Sequence, residues 1–190
     1  MAVNEQSTRY RRFVFLDRDG VINRERGDFT TTIEEWEWAP GALDGLRMLE
    51  EAGVGVVVIT NQSCIARGSQ TEEGLTVLHR VMRDEVLNTG GNILSIYHCP
   101  HRTEDGCSCR KPEPGMLLDA ASALGISPAD TFFVGDSQRD LLAGRRAGTR
   151  TILVTGGGGG FDPAEPALAD HTTDTLRDAA RIVIAETPIR

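Results

Sequence analysis

Five short runs of apolar residues divide the chain into the alternating strands and helices of an α/β protein. They are residues 13–16, 54–60, 93–97, 131–135 and 151–155, and they are rich in aromatic and β-branched side chains. Continuous apolar runs of this length are typical of strands that are buried on both faces of a parallel sheet. Because segments with helical periodicity separate them, the pattern predicts a doubly wound parallel sheet.

Apolar residues at helical spacing predict five helices around these strands. The first begins at Pro40 and ends at Gly53, and the second is capped by Thr71. The third begins near Pro114, the fourth covers residues 138–147, and the fifth covers residues 173–185. The polar stretch 24–38 is predicted as a loop that folds over the end of the first strand. Residues 156–160 are predicted as a flexible loop, and not as a dinucleotide-binding loop, because no helix follows them directly.

The length of 190 residues, of which 39% are hydrophobic, fits one domain with a complete core. We expect residues 1–11 to form a flexible tail and residues 12–190 to form that single domain. A loop and one helix already occupy the chain between Asp17 and Thr60, so no separate cap domain is expected. Only loops would then cover the pocket, namely 24–30, 62–68 and the cysteine-rich segment.

The net charge of −8 argues against a nucleic-acid or anionic-membrane partner. No apolar run approaches the roughly 20 residues of a membrane span, and the polar, charged start of the chain does not resemble a signal peptide. We therefore expect a cytoplasmic protein. Because no apolar helix is obviously left exposed, a monomer is expected.

Polar residues follow four of the predicted strands at their carboxyl ends: Asp17 and Asp19, Thr60 and Asn61, Lys111, and Asp136 with Asp140. An isolated Asp-x-Asp-Gly is often an ordinary turn, but in a parallel sheet all these ends share one edge, so the side chains can converge. Clustered carboxylates repel one another unless cations are present. Lys111 supplies one positive charge, and an all-oxygen ligand set favours Mg²⁺ as the second. Such a site suits phosphoryl transfer.

The pattern suggests a role for each of these side chains. Asp17 is predicted to be the nucleophile that forms an aspartyl-phosphate. Asp19 is predicted to protonate the leaving oxygen and then to deprotonate the attacking water. Thr60 would hold phosphoryl oxygens, with Lys111 offsetting their charge. The predicted magnesium ligands are Asp17, Asp19 and Asp136, whereas Asp140 is expected to orient the site from behind them.

A second cluster combines three thiols with one imidazole: Cys99, His101, Cys107 and Cys109. Three cysteines and a histidine are the ligands of a closed, structural zinc site. The spacing leaves other readings open, namely free buried thiols, a disulfide, or His98 in place of His101. The loop ends at Arg110 and Lys111, so zinc would fix Lys111 and place Arg110 at the pocket mouth. Cys64 lies apart and is expected to be a packed residue.

Four segments resemble, in order, the motifs of the haloacid-dehalogenase (HAD) superfamily: Asp17-x-Asp19-Gly20, Thr60, Lys111-Pro112 and Gly135-Asp136-Ser137-x-x-Asp140. The resemblance covers about residues 13–155. A second aspartate in the first motif is typical of the phosphatases of that superfamily. The resemblance therefore implies a magnesium-dependent phosphatase with a HAD-like Rossmannoid fold.

Within that superfamily, segments 17–23, 60–63, 65–68, 99–101 and 109–116 resemble the D-glycero-D-manno-heptose 1,7-bisphosphate 7-phosphatase family. The resemblance implies removal of the 7-phosphate on the route to nucleotide-activated heptose for lipopolysaccharide or other surface glycans. It implies that Arg110 contacts the remote 1-phosphate or the ring, where a guanidinium is well suited to bidentate binding. The rest of the pocket would be lined by Glu25, Arg26, Gly27, Asp28, Asn61, Gln62 and Ser63.

Two features keep alternatives open. Cys64 stands where that family usually has glycine, and the five-residue gap between His101 and Cys107 resembles histidinol-phosphate phosphatase, a zinc-bearing relative. An alternative from another class is a zinc-stabilised binding module without catalysis. Such a module would be expected to lack one of the predicted catalytic residues, and none is missing here. The sequence does not distinguish the α from the β anomer of the heptose.

Overall fold

The described part of the chain, residues 9–158 and 168–188 of the computed structural model, is built around a parallel sheet of six strands. The strands are β1 (Arg12–Leu16), β2 (Val54–Asn61), β3 (Ser95–Cys99), β4 (Phe132–Gly135), β5 (Arg150–Val154) and β6 (His171–Thr173). Their order in the sheet is β3-β2-β1-β4-β5-β6, and every pair is parallel. The strand order reverses beside β1, which places the topological switch point at its carboxyl end.

In the described residues, five α-helices cover the two faces of the sheet. They are α1 (Ala42–Glu51), α2 (Glu72–Asn88), α3 (Gly115–Leu124), α4 (Gln138–Ala147) and α5 (Leu176–Glu186). Buried residues of α1, α2 and α5 share one apolar core, and those of α3 and α4 share the other. The predicted doubly wound α/β fold is confirmed.

Strand β1 is the centre of this arrangement because its side chains fill both cores. Val14 and Leu16 pack into the first core, Phe15 packs into the second, and all three are fully buried. Leu16 is paired with Val58 of β2 on one side and with Val134 of β4 on the other. The residues that follow β1 therefore emerge between two fixed neighbours.

Element boundaries follow the predictions most closely where a cap or a buried run defines them. Thr71 caps α2 as predicted, and its Oγ1 accepts a hydrogen bond from the N–H of Gly74 at 3.0 Å. Helix α1 begins two residues later than predicted, after Gly41. Strand β3 begins and ends two residues later than predicted, so Cys99 belongs to the strand. The final helix begins at Leu176 instead of 173, because Thr175 is its cap.

Several boundary predictions fall on the edge of the described chain. The predicted tail, residues 1–11, and the predicted loop, residues 156–160, lie partly outside the described residues. Tyr10 is described and buried, and its hydroxyl donates to Glu50 of α1 at 2.6 Å. Among the described segments, no helix is both long enough and apolar enough to cross a membrane.

Candidate active site

A cavity of about 450 Å³ opens at the carboxyl edge of the sheet, above β1, β2 and β4. Its wall includes every predicted catalytic, magnesium-binding and substrate-binding residue except Arg26 and Gln62. The convergence follows from the parallel register, which brings the ends of non-consecutive strands to one edge. Residues more than a hundred positions apart, such as Asp17 and Asp136, therefore share one pocket.

The ammonium group of Lys111 is the positive charge that contacts the buried aspartates of this cavity. Its Nζ lies 2.7 Å from Oδ1 of Asp17 and 2.7 Å from Oδ1 of Asp140, and it donates to the carbonyl of Ile59 at 3.0 Å. The Lys111 side chain is only 3% exposed. Burial opposes its charge, but the carboxylates of Asp140 and Asp17 prevail and raise its pKa. Lys111 therefore remains charged beside the predicted nucleophile.

One lysine does not neutralise the carboxylates around it. Burial, reinforced by the negative charge of Asp140, raises the pKa of Asp17 to about 7 and that of Asp136 to about 9. Carboxylate oxygens of Asp17, Asp136 and Asp140 all lie within 4.8 Å of one another. A further cation at this point would restore their ionised forms. The hard oxygen donors and their number suit Mg²⁺, so the donor set fits the predicted ion.

Two local features of the chain position Asp136 and Asp140. Ser137 is the N-cap of α4, where its hydroxyl and its N–H donate to Oδ2 of Asp140 at 2.5 and 3.1 Å. Gly20 turns the chain away after the first motif with a φ of +80°, and a Cβ there would lie 1.9 Å from Oδ2 of Asp136. Glycine is required at this turn both for its backbone conformation and for its lack of a side chain.

The carboxylate of Asp19 points away from the acidic cluster and into a network of donors. Its Oδ1 accepts from Arg18 Nη2 and from Asn23 Nδ2, each at 2.9 Å, and its Oδ2 accepts from Gln62 Nε2 at 2.9 Å. Burial opposes ionisation, but Arg18 and these hydrogen bonds lower the pKa of Asp19 below its usual range. Asp19 still lines the cavity and keeps 23% of its side chain exposed.

Polar residues at the carboxyl end of β2 brace the predicted catalytic groups. Asn61 accepts from the N–H of Lys111 at 3.0 Å and donates to its carbonyl at 3.1 Å, which ties the loop before α3 to β2. Gln62 is buried, and its amide nitrogen also donates to Oγ1 of Thr60 at 2.8 Å.

The two predicted substrate residues that lie off the cavity wall both have other partners. Gln62 is held beneath the wall by Asp19 and Thr60. Arg26 turns outward, where its guanidinium pairs with Glu37 at 3.1 Å and donates to the carbonyl of Glu35 at 3.3 Å. The structure thus gives Gln62 a positioning contact and Arg26 a role in bracing its own loop.

The cysteine-rich loop forms a compact cluster of potential metal ligands. Distances from Cys109 Sγ to Cys99 Sγ, Cys107 Sγ and His101 Nδ1 are 3.2, 3.3 and 3.2 Å. Four tetrahedral zinc ligands lie roughly 3.3–3.8 Å apart. Burial raises the pKa of the Cys99 thiol to about 12, so a cation is needed to hold its thiolate. The residues present therefore fit a structural zinc ion.

The alternatives for this cluster can be compared with the geometry. All four cysteines of the chain are free of disulfides. His98 is turned away and lies 2.9 Å from Glu72 of α2, so the imidazole of the cluster is that of His101. Arg110 Nη1 donates to the carbonyl of His101 at 3.0 Å. This contact fixes the Arg110 guanidinium on the cavity wall.

Further residues line the cavity that the sequence interpretation did not single out: Phe29, Ser137, Arg139 and Gly158. Ser137 and Arg139 are sequence neighbours of Asp136 and Asp140. The sequence could therefore have indicated that they lie at the same edge of the sheet. Phe29 and Gly158 arise from loops whose course no periodic pattern specifies. Glu25 and Gly157 join those two loops through a backbone hydrogen bond of 2.9 Å.

The sequence of the chain is similar to that of known proteins. A family model described as HAD-hydrolase-like matches residues 108–179. The chain is 40% identical over 179 residues to a D-glycero-beta-D-manno-heptose-1,7-bisphosphate 7-phosphatase of Neisseria meningitidis, which covers 92% of this chain and 96% of that protein. It is 36% identical over 170 residues to a D-glycero-alpha-D-manno-heptose-1,7-bisphosphate 7-phosphatase of Photorhabdus laumondii, with 85% and 92% covered.

A solved structure resembles the fold as a whole. It is that of D,D-heptose 1,7-bisphosphate phosphatase from Bordetella bronchiseptica, complexed with magnesium and phosphate. The two chains are 35% identical, and their TM-score is 0.84. The match covers 92% of this chain and 99% of that one.

Proposed function

The chain belongs to the D-glycero-D-manno-heptose-1,7-bisphosphate 7-phosphatase family of the HAD superfamily, and on this premise we propose that it removes the 7-phosphate of that sugar bisphosphate. The observation that carries the proposal is the buried cluster in which Lys111 touches Asp17 and Asp140, with Asp136 beside them. The pathway that it serves is proposed to be the synthesis of nucleotide-activated heptose for lipopolysaccharide or other surface glycans.

In the first half of the reaction, a carboxylate oxygen of Asp17 attacks the phosphorus of the 7-phosphate. The bond from phosphorus to the C7 oxygen breaks, and an aspartyl-phosphate forms on Asp17. Asp19 gives a proton to the departing oxygen, and the negative charge of the arriving phosphate favours the protonated form of Asp19 beforehand. Thr60 and backbone N–H groups at the strand ends hold the phosphoryl oxygens.

In the second half, water attacks the phosphorus of the aspartyl-phosphate. Asp19 takes a proton from that water, the bond to Asp17 breaks, and inorganic phosphate leaves with Asp17 restored. The Lys111 ammonium, whose Nζ lies 2.7 Å from Oδ1 of Asp17, offsets the charge that would otherwise repel phosphate from carboxylate.

The two metals are part of the proposal. Magnesium, held by Asp17, Asp136 and the first-motif loop of Asp19, would offset phosphate charge during attack. For the Asp19 side chain, contacts with Arg18, Asn23 and Gln62 support the proton-transfer role instead of a bond to the ion. Zinc in the Cys99–Cys109 loop is proposed to be structural, because three thiolates and an imidazole fill all four positions.

Substrate recognition is proposed to depend on Arg110 at one end of the cavity. Its guanidinium would bind the 1-phosphate, while Glu25, Gly27, Asp28, Asn61 and Ser63 face the sugar hydroxyls. Relatives that are 34–43% identical carry the β-anomer in their names, and one relative at 36% identity carries the α-anomer. We therefore propose the β-anomer as the preferred substrate.

The nucleophile is tested by substituting Asp17 with Asn. Activity toward heptose 1,7-bisphosphate should be lost, while Asp84→Asn on the exposed side of α2 serves as a control of equal charge change. Wild-type protein that hydrolyses neither the heptose substrate nor any simple phosphate ester would contradict the proposal. An active Asp17→Asn protein would remove Asp17 from its role.

Substrate identity is tested by measuring kcat/KM for both heptose anomers and for histidinol phosphate. A preference of about 10³ for a heptose substrate, worth roughly 4 kcal/mol, is expected. Arg110→Ala should reduce turnover of the bisphosphate far more than turnover of heptose 7-phosphate, whereas Arg102→Ala should affect both alike. A comparable preference for histidinol phosphate would overturn the substrate assignment.

We also propose that the protein acts as a cytoplasmic monomer without nucleic-acid or membrane partners. Its free cysteines fit a reducing compartment, and its net charge of −8 disfavours polyanions. Light scattering on the purified protein should give the mass of one chain. A stable dimer at micromolar concentration would contradict this part.

A further inference from the structure

Arg18 is a fully buried arginine between the two aspartates of the first motif. Only 1% of the residue is exposed, and it is the largest of the fully buried side chains in the described residues. Burying a guanidinium is costly unless its charge and its N–H groups find partners. The contacts that Arg18 makes should therefore reveal what it does.

The guanidinium holds one oxygen of Asp19. Arg18 Nε and Nη2 lie 3.3 and 2.9 Å from Oδ1, and Asn23 donates to the same oxygen at 2.9 Å. In contrast, Oδ2 accepts from Gln62 alone among these groups. Three donors occupy Oδ1, and Oδ2 keeps a lone pair for exchange of a proton with the reacting oxygen.

The other end of the guanidinium is held by His79 of α2. Arg18 Nη1 lies 3.2 Å from Nε2 of His79, and the Trp36 ring centroid lies 5.8 Å from the guanidinium carbon. An arginine has only donors, so Nε2 must accept and the ring proton must reside on Nδ1. Burial, followed by the charge of Arg18, lowers the pKa of His79 to about 3, which keeps the ring neutral and able to accept.

We propose that Arg18 and His79 are positioning residues that fix the rotation of the Asp19 carboxylate and present its Oδ2 to the leaving oxygen and to the attacking water. The inference rests on the proposed phosphatase function, in which Asp19 transfers the proton. Neither residue lines the cavity, so each acts through Asp19.

This role predicts a dependence on the leaving group. The sugar alkoxide leaves slowly unless it is protonated, whereas p-nitrophenolate leaves readily without a proton. A misaligned Asp19 should therefore slow cleavage of the alkyl phosphate more than cleavage of the aryl phosphate. A variant that is less stable overall, or in which Asp17 is displaced, should instead cleave both substrates more slowly and to a similar degree.

The experiment measures kcat and KM for heptose 1,7-bisphosphate and for p-nitrophenyl phosphate. His79→Leu removes the acceptor, and kcat for the sugar phosphate should fall at least about tenfold more than kcat for the aryl phosphate, within the range of proton-transfer catalysis. His79→Gln restores an acceptor near the Nε2 position and should recover most of the difference. His171→Gln is the control, since that histidine lies on the edge strand β6 and pairs with Glu186 at 3.3 Å.

The outcomes separate this inference from the proposed function. Equal losses on both substrates in His79→Leu, or no loss, would overturn the positioning role while leaving the phosphatase intact. Absence of activity in the wild type, or full activity in Asp17→Asn, would instead contradict the proposed function. If His79→Leu does not fold, Arg18→Lys provides the same comparison, because it keeps the charge and loses the fork that spans Asp19 and His79.

Discussion

The turn at Gly20 offers a direct test of how the backbone positions Asp136. Substitution by Ala has two separate costs. With a φ of +80°, an alanine at this position would adopt the left-handed conformation, which costs about 1–2 kcal/mol. The new Cβ would also lie 1.9 Å from Oδ2 and 2.3 Å from Cγ of Asp136, where real contacts essentially never fall below 3.0 Å. Asp136 must therefore move by about 1 Å.

Gly148 supplies the matched control. Its φ is +88°, and a Cβ there would meet nothing within 4 Å, so Gly148→Ala carries the backbone cost alone. The melting temperature of both variants should fall by about 2–4 °C for each kcal/mol of lost stability. A displacement of 1 Å at a catalytic group can cost about 10²-fold in rate, and we expect such a loss of kcat/KM only in Gly20→Ala.

The assay is phosphate release over a range of magnesium concentrations, together with thermal unfolding of both variants. Gly20→Ala should also need more magnesium for half-maximal activity, because Asp136 is a proposed ligand. If both variants retain kcat/KM within a few-fold of wild type, the reasoning is refuted. The turn would then not determine the position of Asp136.

Other perturbations probe different parts of the molecule. Lys111→Met should abolish turnover and cost about 3–5 kcal/mol in urea unfolding, because two buried carboxylates lose their partner; a fall below 1 kcal/mol would contradict this. Removal of the proposed zinc ion, by chelation or by Cys107→Ser, should lower the melting temperature and the activity together. A zinc content well below one equivalent in the untreated protein would contradict the proposed site. Unfolded His79 binds a proton near pH 6.5 but the folded residue, facing Arg18, His98 and Asp19, does so only near pH 3. The contribution of His79 to the free energy of unfolding should therefore fall by roughly 1.4 kcal/mol per unit as the pH drops from 6.5 to 4.5. The difference in stability between the wild type and His79→Gln should change with this slope in urea titrations at several pH values.

The strands that could be predicted from the sequence are those in which apolar character is continuous. Four of the five predicted strands lie within one residue of their observed bounds, because buried parallel strands carry an unbroken apolar run. Strand β6 was missed because His-Thr-Thr is short, polar and partly exposed at the sheet edge. Strand β3 was placed too early because Ile93 is apolar but lies in the loop before the strand.

The candidate site also has a part that could be predicted from the sequence and a part that could not. The convergence of Asp17 and Asp136 follows from sheet topology, so their positions after β1 and β4 were sufficient to expect it. Lys111 comes twelve residues after β3, and Asn61 holds its backbone in place. The partners of Asp19 were not predictable in the same way. An arginine between two aspartates looks like a surface residue, and a histidine within α2 looks like a packed one. Only the tertiary contact between Arg18 and His79 reveals that the two side chains act together.

Strand β6 also affects how the protein behaves at high concentration. The unpaired backbone groups of an edge strand can pair with another chain, and long, flat edges favour aggregation. Here one edge is a strand of three residues, His171–Thr173, and the opposite edge is a strand of five, Ser95–Cys99, that ends in the cysteine-rich loop. So short a ladder offers few hydrogen bonds to a second sheet. The β6 edge of this fold therefore resists sheet extension, which disfavours pairing between the sheets of two molecules.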